Sequence, residues 1–276
     1  MTNLQARILI ALLYFPALLL SVFDETAFAL VVSLLLATSW YEYLQFHKDP
    51  NSPRDALSEW LIIFLGTLPA LVQAVGRSPT LGFAAILLAL QIHIIRGMFR
   101  RKTFEDILTE LKPLAFGFVY LTVLFCCLLG VRTHPGGREA IWFLLFVIGA
   151  SDSLAYFFGR AWGRKPFFQH LSPKKTVEGF WGGMLGSMAC GLGFYYLFGW
   201  LEYHVPSLVE CLLLSLVIGI SGVFGDLFES MLKRRFHVKD SGVLLGAHGG
   251  ILDRFDAVIF AAVPLYFYMV FRGGFQ

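Results

Sequence analysis

The sequence predicts an all-α, polytopic membrane protein with about nine transmembrane helices and a cytoplasmic N-terminus. Hydrophobic residues fill 57% of the 276 positions and charged residues only 15%, whereas soluble domains carry about 25% charged residues. The apolar residues form long runs without the alternation of barrel strands, which favours helices that satisfy their own backbone groups. The distribution of Lys and Arg between the loops predicts the orientation.

The apolar runs predict the individual spans. A helix needs about 20 residues to cross a hydrocarbon core of about 30 Å. Nine segments approach this length, at residues 7–23, 26–43, 58–75, 80–96, 113–130, 140–158, 180–200, 208–228 and 256–272. We group them into spans 1–4 (residues 1–112), middle helices with a cytoplasmic basic loop (113–179), and C-terminal helices with the polar loop between the last two spans (180–276).

The basic residues are distributed unequally between the two faces of this topology. With nine spans, 18 of the 22 Lys and Arg residues fall on the face of the N-terminus and four on the opposite face. Cytoplasmic loops are rich in Lys and Arg, so the N-terminal face is predicted to be cytoplasmic. The protein is expected in the cell (inner) membrane, with its polar clusters facing the cytoplasm.

Two glycine-rich runs, "EGFWGGMLGSMACGLG" and "LVIGISGVFGD", lie in the seventh and eighth predicted spans. Small residues at short spacing let helix backbones approach one another closely. The runs therefore predict two tightly packed helices.

The first polar cluster is "ASDSLAYFFGR", in which Asp152 interrupts an apolar segment and is followed by Ser153 and Tyr156. An aspartate inside a span is a functional candidate. The less favoured alternative is that Asp152 is a hydrogen-bond partner for helix packing.

The second polar cluster is "LSPKKTVEGFWGG". Ser172 and Pro173 predict a turn, and Thr176 is a candidate cap for a helix that begins near Val177. Lys174 and Lys175 would then lie at a helix N-terminus, an arrangement that binds phosphate. The alternative is that the two lysines only anchor the span at the cytoplasmic face.

The third polar cluster lies between the last two spans, in "FGDLFESMLKRRFHVKDSGVLLGAHGGILDRFD". Asp226 and Glu229 are one helical turn apart, and Asp253 and Asp256 repeat this spacing. Cationic residues stand between the pairs. Carboxylates hold Mg²⁺ while Lys and Arg neutralise phosphate oxygens. The pattern predicts a cytoplasmic, Mg²⁺-dependent site for a phosphate-rich ligand.

This third cluster resembles the signature of the phosphatidate cytidylyltransferases (CDP-diacylglycerol synthases). The matching positions are Ser230, Lys233, Arg234, Lys239, Asp240, Gly242, His248, Gly249, Gly250, Asp253, Arg254 and Asp256. "LSPKKTVEG" and the "FGD" at 224–226 are similar to further family motifs, whereas "DSLAY" departs from the expected "DTGAY". The strong resemblance covers residues 150–260, and the first half is similar only in length and hydropathy.

The resemblance implies that CTP and phosphatidate react to give CDP-diacylglycerol and pyrophosphate. It also implies a nine-helix fold, a homodimer, and a paired metal centre with Mg²⁺ and K⁺ as the candidate second ion. Asp226 and Asp253 would be metal ligands supported by Asp256, and Lys239 would join them in catalysis. No nucleic-acid partner is expected.

The resemblance further assigns residues to substrate binding. The residues that would bind phosphate groups are Lys174, Lys175, Lys233, Arg234 and Lys239. His248 would orient substrate by hydrogen bonds rather than act as a base. The complete substrate-binding set is Ser172, Lys174, Lys175, Thr176, Lys233, Arg234, Asp240, His248 and Arg254.

Three alternatives remain open from the sequence. A CTP-dependent enzyme with another lipid or polyprenol acceptor would share the signature. A transporter would spread its carboxylates along the spans, whereas here they cluster at span ends. An inactive or specialised paralogue is the third alternative, because of the altered "DSLAY" motif.

Overall fold

The computed structural model describes residues 19–46, 56–75, 80–99, 101–236, 238, 242 and 250–275. Within this part the chain is mostly helical and contains one small sheet. The elements are α1 (Glu25–Phe46), α2 (Ala56–Ala74), α3 (Thr80–Phe99), α4 (Phe104–Gly117), a π-helical segment (Phe118–Val123), α5 (Leu124–Thr133), α6 (Gly137–Trp162), β1 (Pro166–Phe168), β2 (Ser172–Thr176), α7 (Val177–Trp200), α8 (Leu208–Arg235) and α9 (Leu252–Arg272).

Six helices of the described residues are long and apolar enough to cross a membrane: α1, α3, the continuous run Phe104–Thr133, α6, α8 and α9. A shorter apolar helix covers Glu59–Ala74. These helices support the prediction of a multi-pass membrane protein. Most of the predicted span 7–23 lies outside the described residues, and α7 is not among the six. The count of nine spans and the orientation stay predictions.

The chain divides into two compact units. The first consists of Met1–Leu129 with Ser241–Leu252, and the second of Gly130–Asp240 with Asp253–Gln276. The second unit therefore contains most of the residues predicted to form the site.

The core of the first unit is organised around the completely buried Trp40 of α1. Its indole N–H donates to Thr122 Oγ1 at 3.0 Å, and the Thr122 hydroxyl donates to the carbonyl of Gly66 at 2.8 Å. A Cβ on Gly117 would lie 2.6 Å from the Trp40 ring, so only glycine leaves room for the indole there. Trp40 thus links α1 to α2 and to the π-helical segment.

The glycines of α7 and α8 bring the helices of the second unit into backbone contact. A Cβ on Gly183 would lie 3.1 Å from Ser151 Oγ of α6, and one on Gly225 would lie 2.6 Å from the carbonyl oxygen of Asp256. Side chains at these positions would hold the helices apart. The prediction of two tightly packed glycine-rich helices is confirmed.

A two-stranded antiparallel hairpin precedes α7. Pro166 pairs with Thr176, and Phe168 pairs with Ser172. The predicted turn at Ser172 and Pro173 is wrong, because both residues lie in β2 and the chain reverses earlier, where the Leu171 N–H donates to the Phe168 carbonyl at 3.1 Å. Proline is tolerated here because each strand of a two-stranded sheet has one unpaired edge.

Thr176 caps α7 as predicted. Its backbone is extended, with φ −119° and ψ 156°, and its hydroxyl oxygen accepts the N–H of Gly179 at 3.1 Å. This hydrogen bond satisfies one of the N–H groups that have no partner within the helix. The cap fixes the point where the hairpin becomes a helix.

We expect Thr176→Ala to lower the free energy of unfolding by about 1 kcal/mol, the usual cost of a lost cap. Thr176→Ser keeps the hydroxyl and is the matched control, with a smaller expected loss. Thermal unfolding of the purified protein in detergent checks both. Equal losses in the two variants would show that the hydroxyl does not stabilise the helix.

Candidate active site

The second unit contains a cavity of about 570 Å³ between α6, β2, α7, α8 and α9, within the usual size range of small-ligand sites. Its charged and polar lining residues are Asp152, Tyr156, Arg160, Lys174, Lys175, Thr176, Asp226, Asp253, Arg254 and Asp256. Apolar side chains such as Ile148, Phe167 and Phe180 complete the wall. The cavity can therefore contact charged and apolar parts of a ligand together.

Three carboxylates meet beside this cavity. Asp226 and Glu229 lie one turn apart on α8, and Asp256 lies in the first turns of α9. Each offers an oxygen, and these oxygens all lie within 4.8 Å of one another. Glu229 is 0% exposed and Asp256 4% exposed. We call these three residues the carboxylate cluster.

Two lysines pair with the acidic residues. Lys175 of β2 forms an ion pair with Asp226. Lys233 Nζ lies 2.5 Å from Glu229 Oε2 and 2.5 Å from Asp253 Oδ1, so it joins α8 to α9. The two lysines therefore neutralise part of the negative charge of these acidic residues.

The carboxylate cluster fits a hard divalent cation. Asp256 Oδ1 accepts the N–H of Ala257 at 2.7 Å, whereas its buried Oδ2 accepts no hydrogen bond from the described residues. A buried oxygen without a partner is costly. Mg²⁺ holds oxygens at about 2.0–2.1 Å, which places opposite ligands about 4.2 Å apart. The separations within the cluster are compatible with that geometry.

A second cavity of about 210 Å³ lies next to the first and shares Lys174 with it. Its lining residues are Leu171, Ser172, Pro173, Lys174, Ser230, Lys233, Arg234 and Val238. Three cationic side chains and two hydroxyl groups make a surface suited to phosphate oxygens.

The structure brings most of the predicted site residues to these two cavities. Those at the larger cavity are Lys174, Lys175, Thr176, Asp226, Asp253, Arg254 and Asp256, and those at the smaller are Ser172, Lys174, Lys233 and Arg234. Lys239, Asp240 and His248 lie outside the described residues. The roles assigned to all these residues stay predictions.

Tyr156 and Arg160 line the larger cavity but were not predicted as site residues. The Arg160 Nη1 donates to the hydroxyl of Tyr156 at 3.0 Å. Asp152, Tyr156 and Arg160 are spaced four residues apart, so they share one face of α6. This four-residue spacing in the sequence could have indicated that Tyr156 and Arg160 belong to the same site as Asp152. The location of Asp152 in the cavity wall favours the functional interpretation of this residue.

Comparisons with known proteins decide the family. The sequence profile of the cytidylyltransferase family matches residues 5–272. The chain belongs to the cytidylyltransferase family. This result confirms the resemblance drawn from the signature, together with the prediction of a cytidylyltransferase enzyme. The match begins at residue 5, so the first half of the chain belongs to the family too.

Three relatives of this cytidylyltransferase are each named phosphatidate cytidylyltransferase. The Bacillus subtilis protein is 29% identical over 274 residues, which cover 97% of this chain and 98% of the relative. The Thermotoga maritima protein is 29% identical over 267 residues, or 96% of each chain. The Helicobacter pylori (strain J99) protein is 42% identical over 154 residues, covering 56% of this chain and 55% of the relative.

We expect Gly225→Ala to reduce the activity of this cytidylyltransferase by about 10- to 100-fold, because the new Cβ would meet the Asp256 carbonyl and displace a cluster residue. Gly193→Ala is the matched control, since a Cβ there meets nothing within 4 Å. Steady-state rates in detergent micelles check both variants. Parental activity in folded Gly225→Ala protein would contradict the need for this close approach.

Proposed function

We propose that the protein transfers the cytidylyl group of CTP to phosphatidate, giving CDP-diacylglycerol and pyrophosphate. The observation that carries the proposal is the carboxylate cluster beside two cation-lined cavities. Family membership supports CTP as the nucleotide. The names of the two relatives that align along nearly their full length support phosphatidate as the acceptor.

We propose Mg²⁺ as the cofactor, held by Asp226, Glu229 and Asp256, with Asp253 as the further ligand that the resemblance implies. The ion, when bound, neutralises phosphate charge and polarises the α-phosphoryl group. K⁺ as a second ion stays a prediction. Glu229 enters this set because its carboxylate lies with those of Asp226 and Asp256.

The proposed reaction needs charge neutralisation more than a strong base. A phosphate monoester has a second pKa of about 6 and is largely dianionic at pH 7. One of its oxygens forms a bond to the α-phosphorus of CTP, and the bond from that phosphorus to the bridging oxygen of the β-phosphate breaks. The departing pyrophosphate takes the electron pair of the broken bond. The dianion must approach a polyanion, so positioned cations lower the barrier.

The cationic residues of the two cavities supply this neutralisation in our proposal. Lys174, Lys233 and Arg234 line the smaller cavity, which we assign to phosphate oxygens of CTP. Arg160 and Arg254 line the larger cavity, where they can bind the phosphate of the acceptor. The apolar side chains of that wall suit a ligand that enters from a bilayer.

We propose that the protein is an inner-membrane protein whose site faces the cytoplasm, where CTP is dissolved. The excess of Lys and Arg on the predicted N-terminal face supports this orientation. A homodimer is expected from the resemblance alone and stays a prediction.

Labelled CTP tests the proposed reaction. The purified protein is incubated with phosphatidate, Mg²⁺ and CTP carrying ³²P in either the α or the γ phosphate. We expect α label in the lipid product and γ label only in pyrophosphate. Label from the γ phosphate in lipid would mean a CTP-dependent kinase and would overturn the proposal. Transfer of α label to a polyprenyl phosphate but not to phosphatidate would keep the reaction and change the acceptor.

A further inference from the structure

We propose that Glu42, far from the signature in sequence, is a positioning residue for this site. Its carboxylate fixes the first turn of α9, the helix that carries Asp253 and Asp256. The inference deepens the proposed function and rests on it for its kinetic consequences. The contact itself can be measured independently of any activity.

Glu42 makes two hydrogen bonds across more than 200 residues of sequence. Its Oε1 accepts the backbone N–H of Ile251 at 2.9 Å, and its Oε2 accepts the N–H of Leu252 at 3.0 Å. The side chain is 1% exposed. Glu42 and both donors belong to the same compact unit.

These contacts satisfy groups that α9 cannot satisfy itself. The helix begins at Leu252, and the first N–H groups of a helix have no acceptor within it. A carboxylate at this end is also favoured by the helix dipole, and bonds to a charged acceptor are stronger than neutral ones. Buried in the protein, this helix end would be costly without such an acceptor.

The position of this cap matters because two acidic site residues come directly after it in the chain. Asp253 is the residue after Leu252, and Asp256 lies one turn later. A helix transmits the direction of its first turn to its next residues. By capping this first turn, Glu42 therefore orders the start of the helix from which the Asp253 and Asp256 side chains extend.

Gly242 provides a second contact with the same carboxylate. A Cβ at this position would lie 2.5 Å from Glu42 Oε1 and 2.7 Å from Glu42 Cδ. A side chain at this position would therefore collide with the Glu42 carboxylate. The Glu42 side chain of α1 thus lies against Gly242 and also accepts the hydrogen bonds at the start of α9.

Glu42→Gln and Glu42→Ala test the proposal, with Ser33→Ala as the control. Ser33 is a buried residue of α1 whose hydroxyl donates to the Ala29 carbonyl of the same helix at 2.7 Å. Gln keeps the size and one acceptor oxygen, whereas Ala removes both. We expect kcat to fall by about tenfold in Glu42→Gln and about 100-fold in Glu42→Ala. The KM for phosphatidate should change by less than about twofold, because no substrate contact is lost.

Hydrogen exchange supplies the readout that does not depend on activity. We expect faster exchange at the amides of Ile251 and Leu252 in Glu42→Gln, while Ser33→Ala and the parent exchange alike. If the parent were inactive with CTP and phosphatidate, faster exchange would still support the cap while the proposed function failed. Unchanged exchange and unchanged kcat in folded Glu42→Gln would overturn the positioning role.

Gly242→Ala closes a double-mutant cycle. Alone it should lower kcat by about tenfold, because the new methyl group displaces the Glu42 carboxylate. In the Glu42→Ala background the methyl group has room, so its further effect should be less than about twofold. Additive effects in the two backgrounds would show that Gly242 does not act through Glu42.

Discussion

Asp256→Asn is expected to reduce the rate of cytidylyl transfer by about 10³-fold or more. The substitution keeps the shape of the side chain but removes one charge from the carboxylate cluster, where the proposed metal ion would contribute several kcal/mol to the transition state. Asp256 is an informative member, because its buried Oδ2 accepts no hydrogen bond from the described residues. Initial rates measured over a range of Mg²⁺ concentrations give the change in kcat and in Mg²⁺ requirement.

Glu202→Gln is the matched control for this loss of a carboxylate. Glu202 lies in the exposed turn after α7 and lines neither cavity. We expect its activity and Mg²⁺ requirement to equal those of the parent. Asp256→Asn protein that is folded and fully active would exclude Asp256 from catalysis.

Lys233→Met is expected to destabilise the protein and to lower its activity. Lys233 lies between the carboxylates of Glu229 and Asp253, and Glu229 is completely buried. Breaking a buried ion pair by removing one partner costs about 3–5 kcal/mol, because the remaining charge stays buried. The thermal unfolding temperature in detergent should fall by about 10 °C.

Lys174→Met separates this structural effect from the loss of a phosphate contact. Lys174 lines both cavities and is exposed. We expect it to raise the KM for CTP with little change in unfolding temperature. Equal unfolding temperatures for Lys233→Met and Lys174→Met would show that the ion pairs of Lys233 do not stabilise the fold.

The sequence predicted the parts of the site that depend on local spacing. Asp226 and Glu229 share a helix face because they are three residues apart, and Thr176 caps α7 because a hydroxyl before an apolar run satisfies a free N–H. The glycine runs correctly indicated close helix packing, since a missing side chain has a direct steric consequence.

The parts that depend on tertiary contacts were not predictable in this way. The hairpin was missed because Ser-Pro is common in turns and only pairing with β1 makes it a strand. Glu42 was missed because a single acid in an apolar span carries no information about a partner 209 residues away. Arg160 was missed because one cation near a loop is also expected from the charge bias of the cytoplasmic face.

Binding of Mn²⁺, a paramagnetic substitute for Mg²⁺, tests most directly whether the carboxylate cluster is the metal site. Electron paramagnetic resonance of the free Mn²⁺ ion, titrated against the purified protein in detergent, gives the affinity. We expect saturable binding that Mg²⁺ displaces, weakened about tenfold or more by Asp226→Asn, Glu229→Gln or Asp256→Asn, and unchanged by Glu202→Gln. Parental affinity in all three cluster variants would contradict the proposed metal site and the mechanism built on it.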